Sequence, residues 1–261
     1  MAALLLIGGY AALVGLGRLL ARSVLYPAPR HGLTRPPAGA ELRSYRAADG
    51  VPVQALVYPA PGSSSRSIVF FHGNGETVAD SVFVAAELVE RGLGFVAVEY
   101  RGYGESRQGK PTEQGLYVDA EAVLAALASE GTGPDRVVLW GSSLGSGVAV
   151  EMAVRGHGCR LVLSSPFTSI PTVARRHFPF LPMRLIVEDE YDSLSKAGRL
   201  KLPTLVIHGD HDRVVPYDLG VTLSRAIAGS ELVTVPGAGH NDLFLHDGRR
   251  LLDRIAAHAK G

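Results

Sequence analysis

The sequence predicts an α/β fold, a mostly parallel eight-stranded sheet with helices on both faces. Three observations predict it. Short apolar runs rich in β-branched residues alternate with longer runs of helical character. The pentapeptide Gly141-Ser142-Ser143-Leu144-Gly145 sits between the apolar run Val137-Val138-Leu139-Trp140 and a helix-like run. Further along, two strand-like runs end in polar, glycine-bearing loops that carry Asp212 and His240.

Taken in order, the chain begins with an uncharged stretch over residues 2–17, and Leu19-Leu20-Ala21 continues it past Arg18. As a helix, residues 2–21 reach about 30 Å, which matches a bilayer core. A transmembrane anchor over 1–21 is therefore expected, with Arg18 snorkelling toward headgroups. A cleavable signal peptide normally opens on a basic segment, which is missing, and a buried amphipathic helix needs a polar face, which does not appear before Arg18. Arg18, Arg22, Arg30 and Arg35 all follow the apolar run, so the positive-inside rule places the folded domain on the cytoplasmic side. Residues 22–40, with Pro27, Pro29, Pro36 and Pro37, read as a linker to a domain over 41–261.

Strands are expected over 42–46, 53–58, 68–71, 95–100, 137–140, 161–164, 205–208 and 232–235. The first two read as a hairpin with Asp49-Gly50 as its turn. Helices are expected over 78–91, 114–129, 144–155, 217–228 and 242–260. Between 164 and 202 the alternation breaks: Pro166, Pro171, Pro179 and Pro182 punctuate a stretch rich in Phe, Leu, Met and Ile. Those side chains either bind an acyl chain or pack the segment onto the domain. Arg175, Arg176 and Arg184 either meet lipid phosphates or are simply solvated.

Composition excludes several function classes. A formal net charge of +1 leaves no electrostatic footprint for nucleic acid. The single Cys159 permits no intramolecular disulfide. No Cys/His cluster has zinc spacing, and no glycine-rich loop has a phosphate-binding Lys-Ser or Lys-Thr ending, so neither metal nor cofactor is expected.

The chemistry is expected at the turn after the fifth strand. A strand, a tight Gly-x-Ser-x-Gly turn and a helix form a nucleophile elbow. The turn strains its central residue, so its neighbours two before and two after must be small, as Gly141 and Gly145 are. The same pentapeptide also occurs by chance in glycine-rich chains as an ordinary turn, with Ser142 or Ser146 capping the helix. In this architecture an acid and then a histidine must follow the serine. Asp210 and Asp212 both lie past the seventh strand. The spacing Gly209-x-x-Asp212 with Val214-Val215-Pro216 after it resembles the acid loop of α/β-hydrolases, which implies Asp212 as the acid, and Asp210 suits a structural bond within its turn. Of nine histidines, His240 alone combines a strand, a glycine-rich loop and a position after the acid. His72 and His208 precede Gly at strand ends and read as structural. Backbone N–H donors for an oxyanion are expected from Leu144 and from the loop His72-Gly73-Asn74-Gly75, with Asn74 preferred and Gly75 as the alternative.

The chain resembles the α/β-hydrolase superfamily and, within it, the membrane-anchored group that includes Bem46-like serine hydrolases. The likeness rests on the serine, acid and histidine motifs and three further stretches. These are His72-Gly-Asn-Gly75, then Tyr100-Arg-Gly-Tyr-Gly-Glu-Ser106 leading through Pro111-Thr-Glu-Gln-Gly-Leu-Tyr117 to Asp119-Ala-Glu-Ala122, and Ser164-Ser-Pro-Phe-Thr-Ser-Ile170. It spans the chain from about Leu42 to the end, and departs at Gly75, where the group often has Ala. The resemblance implies an α/β-hydrolase fold with a short lid over about 165–202, and esterase, lipase or acyl-protein thioesterase activity. Ser143, His240 and Asp212 are then expected to cleave a small-molecule or lipid ester or thioester, or an acylated protein, through an acyl-enzyme. The alternatives are a serine peptidase with the same three residues and a silent binding module on this scaffold.

Overall fold

The computed structural model describes residues 2–62 and 64–261, with side chains from Ile7 onward. Eight strands form one sheet: β1 (Glu41–Arg46), β2 (Pro52–Tyr58), β3 (Ser67–Phe71), β4 (Gly94–Glu99), β5 (Val137–Ser142), β6 (Arg160–Ser164), β7 (Thr204–Gly209) and β8 (Glu231–Val235). Their spatial order is β1-β2-β4-β3-β5-β6-β7-β8. β2 pairs antiparallel with both β1 and β4, and every other pair is parallel. The Asp49-Gly50 turn closes the first hairpin, with Gly50 at φ +85°, where a side chain would be strained.

Parallel strands need covering on both faces, and their side chains alternate accordingly. Val69 and Phe71 of β3 pack toward α3 (Glu113–Ser129), α4 (Leu144–Val154) and α8 (Tyr217–Ala226), while Ile68 and Phe70 face α2 (Val82–Glu90) and α9 (Leu243–Lys260). The two apolar layers leave the carboxyl ends of β5, β7 and β8 free to carry polar loops. The expected lid region folds into three short helices, α5 (Ile170–His177), α6 (Met183–Ile186) and α7 (Ser193–Ala197). Ser169 caps α5 by accepting a hydrogen bond from the Thr172 N–H, and Pro171 stands in its first turn.

The N-terminal helix α1 (Ala2–Leu25) corrects one expectation. No helix among the described residues is long and apolar enough to cross a membrane. The physical reason lies in Arg18 and Arg22, which interrupt the described part of the apolar run and are both committed to the lid. Arg18 pairs with Glu188 at 2.6 Å and donates to the Leu185 carbonyl, and Arg22 pairs with Asp189 at 2.8 Å. The Tyr10 hydroxyl donates to the Phe180 carbonyl at 3.0 Å. Helix α1 therefore lies against the lid, and it continues four residues past the anchor boundary expected at 21.

Candidate active site

The turn between β5 and α4 is sharp because its neighbours have no side chains. A Cβ on Gly141 would run into the Gly145 carbonyl, and one on Gly145 would run into the Phe71 carbonyl. Ser143 itself sits at φ +50°, ψ −118°, a strained conformation for a non-glycine residue. Its N–H is held by the Ser164 carbonyl at 2.9 Å, and its own carbonyl accepts from the Ser146 N–H and hydroxyl. The residue is thus locked at the N-terminus of α4, where unpaired N–H groups and the helix dipole favour negative charge.

The acid and histidine loops close on that serine from across the sheet. His240 Nε2 lies 2.9 Å from Ser143 Oγ, and His240 Nδ1 lies 2.7 Å from Asp212 Oδ2. The three predicted side chains are therefore brought into one hydrogen-bonded row. Asp210 lies outside that row: its carboxylate accepts from the Gly237 N–H at 2.7 Å and ties the acid loop to the histidine loop. Gly239 donates to Asp242 at 2.6 Å, which closes the turn that carries His240.

Asp212 is buried, and its second oxygen accepts from the Val214 and Val215 N–H groups at 2.9 and 2.8 Å. Burial pushes its carboxyl pKa up. Hydrogen bonds from His208 and His240, the charge of His240 and the backbone donors outweigh burial and hold it well below the usual carboxylate range. His208 is the residue that sequence reasoning under-read. Its ring is fully buried, with Nε2 at 3.0 Å from the Val215 carbonyl and 3.3 Å from Asp212 Oδ2. Its Nδ1 has no hydrogen-bond partner among the described residues. Gly220 of α8 is glycine because a Cβ there would strike this ring. A His two residues before a turn Asp-x-Asp was the only sequence signal available for this second contact.

The loop after β3, from which one oxyanion donor is expected, runs beside Ser143. A Cβ on Gly73 would lie 3.5 Å from Ser143 Cβ, so this backbone passes directly beside the serine. Gly73 donates to Glu76 at 2.7 Å, and the His72 carbonyl accepts from the Tyr100 hydroxyl at 2.9 Å. Asn74 lines the same cavity as Ser143 and Leu144, whereas Gly75 is absent from its wall. The Asn74 side chain is already used: Nδ2 donates to the Leu25 carbonyl at 3.1 Å, which leaves the backbone N–H as the group that can serve an oxyanion.

The other quoted motifs support this frame. The Arg101 N–H, Nε and Nη2 all bond the buried carboxylate of Asp119, which pins the loop after β4 to α3. In Ser164-Ser-Pro-Phe, Ser164 anchors Ser143 through its carbonyl and accepts from Trp140 Nε1 at 2.8 Å, and Phe167 enters the cavity wall. That cavity, of about 370 Å³, runs from Ser143 between α1 and the lid. No group of side chains suited to hold a metal ion occurs among the described residues.

The strand order, the elbow and the row at its tip define a class. The chain belongs to the α/β-hydrolase superfamily and is a hydrolase of that fold. A family described as serine aminopeptidase, S33 matches residues 62–187, and one described as alpha/beta hydrolase fold matches residues 185–247. A Mycobacterium tuberculosis H37Rv protein named "Uncharacterized protein Rv2307c" is 39% identical over 210 residues, spanning 79% of this chain and 74% of that protein. Human alpha/beta hydrolase domain-containing protein 17B is 31% identical over 204 residues, spanning 77% of this chain and 69% of that protein. Among solved structures, the Pyrococcus furiosus esterase Pf2001 superposes with a TM-score of 0.73 at 17% identity, covering 89% of this chain and 98% of that one.

Proposed function

We propose that this protein is a serine hydrolase that cleaves carboxylic esters or acyl thioesters, in the manner of the Bem46-like group it resembles. The observation that carries the reading is the row Ser143 Oγ–His240–Asp212, with contacts of 2.9 and 2.7 Å, at the mouth of an apolar cavity. Ser143 attacks the acyl carbon while His240 takes the hydroxyl proton. Asp212 holds the imidazole in the required orientation and stabilises its charged form. The Asn74 and Leu144 N–H groups receive the oxyanion, each worth about 3 kcal/mol in the transition state. His240 then passes its proton to the leaving alcohol or thiol, and water releases the acid by the reverse sequence.

The aminopeptidase match supports a serine peptidase as the second reading. An aminopeptidase must fix a substrate ammonium, and the cavity wall contains no Asp or Glu. The ester or thioester reading is therefore preferred. Substrates derived from lipid or acylated protein fit the apolar wall, and the exposed Leu16, Leu19 and Val24 of α1 and Phe178 and Phe180 of the lid suit contact with a lipid surface.

A fluorophosphonate probe tests the chemistry. The wild-type protein is expected to label and the Ser143→Ala variant is not. Equal labelling of both, or none of either, would leave a silent binding module as the better description. Competition between p-nitrophenyl esters and aminoacyl amides separates the two enzymatic readings.

A further inference from the structure

The cavity beside Ser143 has a wall that the expected anatomy of the fold does not supply. Gly17, Leu20, Ala21, Val24 and Leu25 of α1 line it. Met183 and Ile186 of α6, and Val187 just after it, also line it. The spacing along α1 is informative. Val14, Gly17, Ala21 and Leu25 recur at three- and four-residue intervals, so they share one helical face, and they are its half-buried residues. Leu13, Leu16 and Leu19 on other faces are exposed.

The small residues on the inner face set the geometry. A Cβ on Gly17 would lie 3.4 Å from Ile186 Cδ1, so α1 and α6 approach each other where the helix has no side chain. One turn nearer the serine, Ala21 leaves open the space that a larger residue would fill. The helix is fixed at both ends of this contact. Arg18 and Arg22 pair with Glu188 and Asp189, and the Tyr26 and Tyr191 hydroxyls meet in the interior at 2.9 Å. The Leu25 carbonyl accepts from Asn74 Nδ2 at 3.1 Å, so the last turn of α1 rests on the loop that carries the expected oxyanion donor.

We propose that α1 is the acyl-selecting element of this hydrolase: its Gly17–Ala21–Leu25 face forms one wall of a channel for a linear aliphatic acyl chain, and the two small residues set how far that chain extends. The channel starts at Ser143, near Leu25, and runs back along the helix. Eight residues at 1.5 Å each make about 12 Å between Leu25 and Gly17, enough for an extended chain of roughly ten carbons. Bulk at Ala21 blocks the channel close to the serine, and bulk at Gly17 blocks it further out. The inference rests on the serine-hydrolase reading, because the channel is assigned an acyl chain for Ser143 to attack.

The test uses the full chain and the variants Ala21→Leu and Gly17→Leu, both of which place a strong helix former in α1. On p-nitrophenyl acetate, hexanoate and decanoate, Ala21→Leu is expected to lose at least about tenfold in kcat/KM for hexanoate and decanoate. Gly17→Leu is expected to lose it for decanoate alone, and both variants are expected to lose less on acetate than on decanoate. Calorimetric binding of decanoate reads the channel whether or not Ser143 turns over, and the same two variants are expected to weaken it by about tenfold. Fluorophosphonate labelling, which needs the activated Ser143 and a small headgroup, reports the serine reading separately and is expected to persist in both variants. Unchanged decanoate binding in both variants would overturn the proposal, as would an equal loss on acetate and decanoate.

Discussion

The two sides of Ser143 are built by different physics. On the chemical side, the elbow, acid loop and histidine loop are fixed by steric exclusion and short polar contacts: Gly141 and Gly145 admit no Cβ, and Asp212 is buried under two backbone donors and two imidazoles. On the acyl side, α1 meets the lid through apolar contacts and ion pairs whose arginine side chains are about half exposed. Exposed pairs add little stability, whereas a strained serine persists only because its surroundings over-determine it. The chemical side therefore tolerates almost no change, and the acyl side is where specificity is free to vary.

The sharpest way to break the comparison is to remove the nucleophile. Ser143→Ala is expected to lower kcat on a p-nitrophenyl ester by about 10⁶-fold with the fold intact, as judged by an unchanged thermal melt. Asp212→Asn comes next, at about 10⁴-fold in kcat, because the amide no longer holds His240 in the working tautomer. The frame behind the site is tested by Asp119→Ala. It leaves the buried Arg101 guanidinium with the half-exposed Asp49 as its remaining carboxylate partner and is expected to cost about 3 kcal/mol in urea unfolding. Stability that survived this change would mean that the Arg101–Asp119 cluster does not pin the loop after β4.

The depressed pKa of Asp212 makes a directional prediction with a smaller effect. An unfolded aspartate titrates near about 3.9, so the contribution of Asp212 is complete above that pH. It is lost as pH falls from there through the lowered native value. Wild-type stability relative to Asp212→Asn is thus expected to shrink as the pH falls below about 4. A difference that grew below that pH would contradict the network drawn around this carboxylate. The smallest effect belongs to the acyl side: Arg18→Ala is expected to change unfolding free energy by less than about 1 kcal/mol, since its partner Glu188 is also exposed.

Period-two alternation in the strands, the glycines around Ser143 and the polar loops at Asp212 and His240 are local signals, and they were legible in the sequence because each follows from a steric or solvation rule acting over a few residues. The fate of α1 was not legible in this way. An apolar run with Arg18 near its end reads the same whether it meets lipid or a lid, and Glu188 and Asp189, the lid partners of its arginines, lie about 170 positions away. His208 looked like an ordinary strand-end residue for the same reason, since its ring matters only where the turn folds Asp212 back beneath it. The meeting of Ser143 and His240 across 97 positions is likewise a tertiary event. The sequence by itself determined which groups are chemically able to act and which strand ends present them. The packing of the sheet decided which of them touch, because hydrogen-bond geometry depends on distances that only the assembled layers define.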